Sequence, residues 1–192
     1  MAKIEFIIPT YNRPNHLMCT INSIVSQRSD KWYIHVIADC PPNNSLDKII
    51  NYFEGDERIK FTILEERYND WGHTPRNIGL DKAKEDWVIM TGEDNYYAPV
   101  FVDHFLDGSE KYDFVYCDMI HNWTNSQYHH IKCKPQVYQI DIGCFMVRRN
   151  KLNGLRLDTK KTESDGLFVE EYLKINKNSK IKYIEKPLYV HN

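Results

Sequence analysis

Two short clusters carry residue types suited to holding a nucleotide. The first is Ile8-Pro9-Thr10-Tyr11-Asn12-Arg13-Pro14. It follows a β-rich run and precedes a helical one. A polar, turn-forming cluster between a strand's carboxyl end and a helix N-terminus offers backbone N–H groups to a phosphate. The plainer reading is a strand-to-helix loop with Asn12 as the cap. The second cluster is Ala38-Asp39-Cys40, which places a carboxylate at the same edge of the sheet. Two such strand ends side by side would make a crevice for base and ribose. Later, Glu163-Ser164-Asp165 stands just before an amphipathic stretch from Leu167 to Ile175. Its plain reading is helix-start chemistry, with Ser164 capping and the acids facing the helix dipole.

These clusters depend on the elements between them. Residues 4–8 form a short β-rich run that ends at Pro9. Leu17, Ile21, Ile24 and Val25 recur at helical spacing, so residues 14–28 are expected to be a helix with Pro14 in its first turn. Residues 33–38 are a second strand, stopped by Cys40-Pro41-Pro42. Leu46, Ile49, Ile50 and Phe53 mark a second helix, residues 59–64 a third strand, 75–84 a third helix and 87–90 a fourth strand. Alternating β and α elements predict an α/β fold, a mostly parallel sheet with helices on both faces. After Pro99 the pattern loosens. Strands are expected at 114–117, at 142–147 with Gly143 breaking it, and at 181–184 and 188–190 around Pro187. Phe168, Tyr172 and Ile175 mark a late helix, and residues 121–140 suit a hairpin.

Composition narrows the function classes. The 192 residues suit one domain, and a formal charge of -2 lacks the footprint of a general nucleic-acid binder. With 42% hydrophobic and 27% charged residues, wholesale disorder is excluded. No apolar run approaches a membrane span, and the N-terminus lacks a signal peptide's apolar stretch. Five scattered cysteines without a C-x-x-C pair are expected to be reduced thiols in a cytoplasmic protein. A structural zinc site is not expected.

In sequence order, the motifs resemble those of GT-A-fold glycosyltransferases of family 2. The resemblance opens with Phe6-Ile7-Ile8-Pro9-Thr10-Tyr11-Asn12-Arg13 and continues through Asp39 and Thr74-Pro75-Arg76-Asn77-Ile78-Gly79-Leu80. It extends through residues 87–99, which hold Gly92-Glu93-Asp94-Asn95, then through residues 140–149, Glu163-Ser164-Asp165-Gly166 and Leu188-Tyr189-Val190-His191-Asn192. It implies the nucleotide-diphospho-sugar transferase fold, with residues 1–99 as the donor half and 100–192 as the acceptor and catalytic half. The donor site would comprise Pro9, Thr10, Tyr11, Asn12 and Asp39 around base and ribose, with Arg76 and Asn77 lining the crevice. Asp39 would accept from an imide N–H of uracil or thymine, and Arg76 would donate to phosphate or base carbonyls.

The resemblance also implies a divalent metal at the acidic motif. Gly92 stands where the family usually has its first aspartate. Asp94 keeps the second, with Glu93 or Asn95 helping on ribose or metal, and phosphate oxygens and water filling the remaining positions. His191 matches a late-chain histidine on that metal, which favours manganese over magnesium. Asp165 is the implied general base of an inverting transfer, and Glu163 the alternative. The donor would be a UDP- or dTDP-sugar and the acceptor a glycan or saccharide hydroxyl, with no nucleic acid and no transmembrane segment. Trp123, Tyr128 and Tyr138 are candidates for stacking on sugar rings. Asp141 is either a sugar-hydroxyl partner or a turn residue. For this family the chain is compact and ends almost at His191. That suits a small soluble acceptor, or one domain of a longer protein. A non-catalytic binding module of the same fold is the alternative that Gly92 favours. A nucleotidyltransferase is disfavoured, because the first loop has no glycine to cradle phosphates.

Overall fold

The computed structural model describes residues 2–42, 44–124 and 127–192, with the backbone alone at 123 and 124. The reading of Trp123 as a stacking residue therefore lies outside the described side chains. Strand β1 (Ile4–Thr10) is buried along its whole length, as a strand covered on both faces must be. Its run of Ile and Phe is what such a position selects. Strands β2 (Trp32–Ala38) and β3 (Ile59–Ile63) add in parallel on one side, and β4 (Trp87–Met90) on the other. Helices α1 (Pro14–Val25), α2 (Asp47–Tyr52) and α3 (His73–Lys82) make the crossovers. The chain moves outward from β1 to β3 and then returns to the far side of β1. Strand order therefore reverses between β1 and β4, and a crevice opens at their carboxyl ends.

Pro9 sits in a central strand without breaking it. β4 pairs with β1 only from Ile4 to Ile7. The missing N–H of Pro9 thus points past the end of its neighbour, where no ladder bond is lost.

Beyond β4 come a two-residue edge strand, β5 (Tyr96–Tyr97), helix α4 (Phe101–Leu106), and β6 (Phe114–Thr124) with its hairpin partner β7 (Gln127–Ile131). Then follow β8 (Phe145–Arg148), helix α5 (Ser164–Ile175) and β9 (Ile181–His191). β8 is antiparallel to β4 and β6, β9 is parallel to β6, and β5 is antiparallel to β9. Six of the nine strands (β1, β2, β3, β4, β6 and β9) consequently point one way.

Pro187 does not divide two strands as expected. β9 runs through it, and the register slips where Asp118 faces Pro187. A bulge is where a strand tolerates proline. One contiguous core spans both halves: Phe6 packs against Tyr97 and Phe101, and Tyr97 against Tyr189. All five cysteines are free thiols. Among the described residues, no helix is long and apolar enough to cross a membrane.

Candidate active site

A cleft of about 410 Å³ opens where strand order reverses. The end of β1 contributes Pro9, Thr10, Tyr11, Asn12 and Arg13; the end of β2 contributes Asp39. The loop after β3 adds Arg67, Asn69, Trp71 and Gly72, α3 adds Arg76, and the turn after β4 adds Gly92, Glu93 and Asp94. Two of the expected clusters thus meet at one edge, together with two groups far away in sequence.

Asp39 organises the β3–α3 loop. Its Oδ1 accepts from the Tyr68 N–H at 2.9 Å and its Oδ2 from the Asn69 N–H at 3.1 Å. The carboxylate expected to receive a base N–H is already engaged by backbone, and only its remaining lone pairs face a ligand. Beside it, the Arg67 guanidinium lies 3.5 Å above the Tyr11 ring. Arg76 is buried, with Nε donating to the Thr91 carbonyl at 3.0 Å and an Nη to the Trp71 carbonyl at 2.9 Å. Among the described residues no carboxylate forms an ion pair with Arg76, so a buried positive charge borders the cleft without a direct counter-ion. Burial of an unmatched charge is costly, and an incoming diphosphate would offset that cost.

The acidic turn is held from below. Thr20 on α1 donates to the carbonyls of Glu93 and Asn95, at 2.8 Å each. Glu93 accepts a short bond from the Thr10 hydroxyl and a 3.2 Å bond from the Tyr11 N–H. Burial still pushes its carboxyl above the usual range. Asp94 pairs with Arg13, Nη to Oδ2 at 2.7 Å, on the exposed side of the cleft. Asn95 is turned inward, its amide donating to the Thr91 hydroxyl at 3.1 Å, so the expected help from its carbonyl is not poised. At Gly92 an added Cβ would come within 2.9 Å of Asp94 Oδ1 and 3.0 Å of Asn95 Nδ2. An aspartate there would make the side-chain ends of Asp94 and Asn95 shift aside.

The second half of the chain brings three more groups to the same end. Asp141 is buried and held by three bonds: Oδ1 accepts from the Tyr189 hydroxyl at 2.6 Å and the Gly143 N–H at 2.9 Å, and Oδ2 bonds His191 Nδ1 at 2.7 Å. It thus caps the turn at 142–144, as the turn reading expects, and also fastens the last strand through Tyr189 and His191. Burial raises its pKa, but His191 and the other donors prevail and hold it below the carboxylate norm. Burial lowers His191, yet Asp141, with Asp94 and Asp165 beyond it, raises the imidazole overall. The bond on Nδ1 leaves Nε2 as the nitrogen aimed outward, the arrangement that orients metal-binding histidines. Asp165, in the first turn of α5, is pushed up to about 7 by burial and by Asp141, against the pull of Arg76, the Ile142 N–H and His191.

Other expectations need correction. Asn77 does not line the cleft. Its carboxamide closes a ring with the Leu157 backbone, donating at 3.0 Å and accepting at 2.8 Å. Asn12 is no cap: α1 starts at Pro14 behind Arg13, with no side-chain cap. Nor does Ser164 cap α5, because its hydroxyl accepts from the Asp158 N–H at 2.7 Å. Glu163 lies at the surface, where its carboxylate accepts from its own backbone N–H and from the neighbouring Thr162 hydroxyl. Of the remaining stacking candidates, Tyr128 bonds Asn192 at 2.5 Å and Tyr138 is 77% exposed, so both rings stand at the surface outside the lining of this cleft. Sequence reasoning missed Arg67 and Trp71, whose loop carries no periodic signal.

No three His, Cys, Asp or Glu side chains converge as a complete metal site among the described residues. The donor set fits a divalent ion that takes one carboxylate, from Asp94, and one imidazole, from His191. Diphosphate oxygens and water would supply the rest.

Comparison with known proteins agrees with this architecture. A putative teichuronic acid biosynthesis glycosyltransferase, TuaG, of Bacillus subtilis is 28% identical over 92 residues, 48% of this chain and 36% of that one. The structure of residues 1–349 of S. aureus TarS superposes with a TM-score of 0.78 at 21% identity, over 99% of this chain and 60% of that one. A mannosyltransferase from Pyrobaculum calidifontis, solved with GDP-Man and Mn2+, superposes at 0.75 and 14% identity, over 98% of this chain and 56% of that one. Likeness at such identities shows the fold, and it is the GT-A fold. This chain spans only part of the length of each relative. The model of glycosyl transferase family 2 matches residues 5–162, and the chain belongs to that family.

Proposed function

We propose that the chain moves a sugar, with inversion, from a nucleotide-diphospho-sugar to a hydroxyl of a glycan or saccharide. One observation carries the reading: Asp165, in the first turn of α5, stands within electrostatic reach of Arg76, a buried guanidinium that lines the switch-point cleft, and burial with Asp141 pushes its carboxyl up to about 7. Tyr11, with Arg67 on its ring, and Asp39 frame the base end, and Arg76 receives the diphosphate. Residues 1–99 serve as the donor half; 100–192 supply the base, the histidine and the acceptor side. Asp165 takes the acceptor's proton as its oxygen bonds to the anomeric carbon, and the bond from that carbon to the diphosphate breaks on the opposite face. A base with a pKa near the working pH is well matched to that task. Asp94 and His191 hold a divalent ion, manganese preferred. When bound, the ion supplies Lewis-acid stabilisation of the charge growing on the leaving group.

TarS has been solved with UDP and with UDP-GlcNAc, which supports a uridine donor here; the GDP-Man and Mn2+ complex of the mannosyltransferase supports the metal. Free thiols suit a reducing, cytoplasmic setting. The test is nucleoside diphosphate release from a panel of nucleotide sugars with saccharide acceptors, with manganese or chelator. Asp165→Asn is expected to lower turnover by about a hundredfold or more while donor affinity stays within about twofold. Full turnover in that variant overturns the base assignment. Gly92 and the Arg13–Asp94 pair favour one second reading, a non-catalytic binding module. That reading predicts nucleotide binding without turnover in the wild type.

A further inference from the structure

Among the described residues two aromatic side chains take a positive φ, Trp71 at 59° and Tyr138 at 63°. Bulky residues avoid that region, and holding one there costs free energy. Of the two, only Trp71 lines the cleft. It is 61% exposed, so an indole is held in a strained conformation without being buried.

The loop around it is rigidly built. Asp39 holds the N–H groups of Tyr68 and Asn69. The Asp70 carboxylate accepts from the backbone and hydroxyl of Thr74, at 2.9 and 2.5 Å. The Trp71 carbonyl receives Arg76. Gly72, with φ of 81°, is pressed so closely on Pro9 that a Cβ would lie 2.9 Å from its ring. Every neighbour is anchored, and the indole is presented on the rim.

We infer that Trp71 is a stacking platform for a sugar ring of the bound donor, and so a determinant of which sugar is accepted. The inference rests on the donor-cleft reading above. The base end already has Tyr11 with Arg67 on its face. Trp71 lies on the other flank: its ring is 6.0 Å from that of His73, and His73 Nε2 bonds the Lys161 carbonyl in the segment leading to Asp165. That flank is the side towards Asp165, away from the nucleobase end, where the transferred sugar must sit. An indole face matches the C–H face of a pyranose, with its hydroxyls directed to the cleft's charged groups.

The test compares Trp71→Ala and Trp71→Phe with wild type in titrations of UDP and of UDP-GlcNAc, each with manganese. Trp71→Ala is expected to bind UDP-GlcNAc roughly three- to tenfold more weakly and UDP within about twofold, with Trp71→Phe in between. Equal losses for UDP and UDP-GlcNAc overturn the proposal in favour of a base platform. Unchanged affinity for both overturns it outright. Wild-type protein that binds neither probe rejects the uridine donor reading itself, a different failure from either of these. The indole is at the surface, so both variants are expected to fold; matching melting curves verify it.

Discussion

Asp165 is a carboxyl placed where its charge is disfavoured. Burial and Asp141 push it up to about 7, from 3.8 in an unstructured chain. The fold therefore prefers the protonated form. Its contribution to stability is whole below about pH 4 and is lost as the pH rises through about 7. Asp165→Asn imitates the protonated acid at every pH. The metal-free variant should gain about 3 kcal/mol on wild type between pH 4.5 and 8.5, read as a widening difference in Tm. A difference that stays constant between those two pH values would show that Asp165 ionises normally. His191 makes a second residue-scale prediction. Asp141 holds its Nδ1, and partners of this kind are worth about 10–100-fold in metal affinity. Asp141→Asn should weaken manganese binding in the presence of UDP by that factor, measured by electron paramagnetic resonance, and His191→Ala by at least as much. If His191→Ala binds weakly but Asp141→Asn binds normally, the histidine is a ligand that needs no such support. Much of this site was legible in the sequence only through resemblance. Asp39, Asp94, Asp165 and His191 could be named, but the bond between residues 141 and 191 joins positions no local pattern connects. A left-handed Trp71 has no sequence signature at all.

At the scale of elements, the first half was the readable part. A central strand must be apolar on both faces, and Ile4–Ile8 says so without help from its neighbours. The second half is built from pairings that skip along the chain, β4 with β8 and β6 with β9. Strand limits there are decided by partners rather than by runs, which is why β9 passes through Pro187. Asn77 shows the same limit within a helix. Its place in a recognisable helix start suggested a ligand contact, whereas the structure uses it to fasten residue 157 to α3. A half-buried amide ring of two bonds contributes about 1–3 kcal/mol, because its removal leaves backbone groups unpaired. Asn77→Ala should lower the urea midpoint accordingly and leave donor affinity within about twofold once folded. A large loss of donor affinity at unchanged stability would return Asn77 to the binding site.

For the whole molecule, the decisive quantity is the coupling between nucleotide and ion. The cleft is lined by Arg13, Arg67 and Arg76 and by Asp39, Glu93 and Asp94, so its charges balance before anything enters. Arg13 is committed to Asp94 and lies 3.8 Å from Glu93. A diphosphate arriving alone meets Arg76, but it also meets the acidic turn. On the proposed reading, a cation arriving alone must draw Asp94 from Arg13 and has His191 as its other ligand from this chain. Together each would supply what the other lacks: a bound ion would neutralise the acidic turn, and the diphosphate would offer it oxygen ligands. Because Asp94 comes from the donor half and His191 from the last strand, this exchange spans both halves of the core. Manganese should therefore raise UDP affinity by about tenfold or more, and UDP should raise manganese affinity by the same factor, since binding couplings are reciprocal. Arg13→Ala, which frees Asp94, should tighten manganese binding in the absence of nucleotide and so reduce the coupling. Calorimetric titrations of each ligand with and without the other measure all three quantities. UDP affinity that is indifferent to manganese and to chelator would mean that Arg13 and Arg76 neutralise the diphosphate unaided, and that Gly92 marks a cleft that works without a metal.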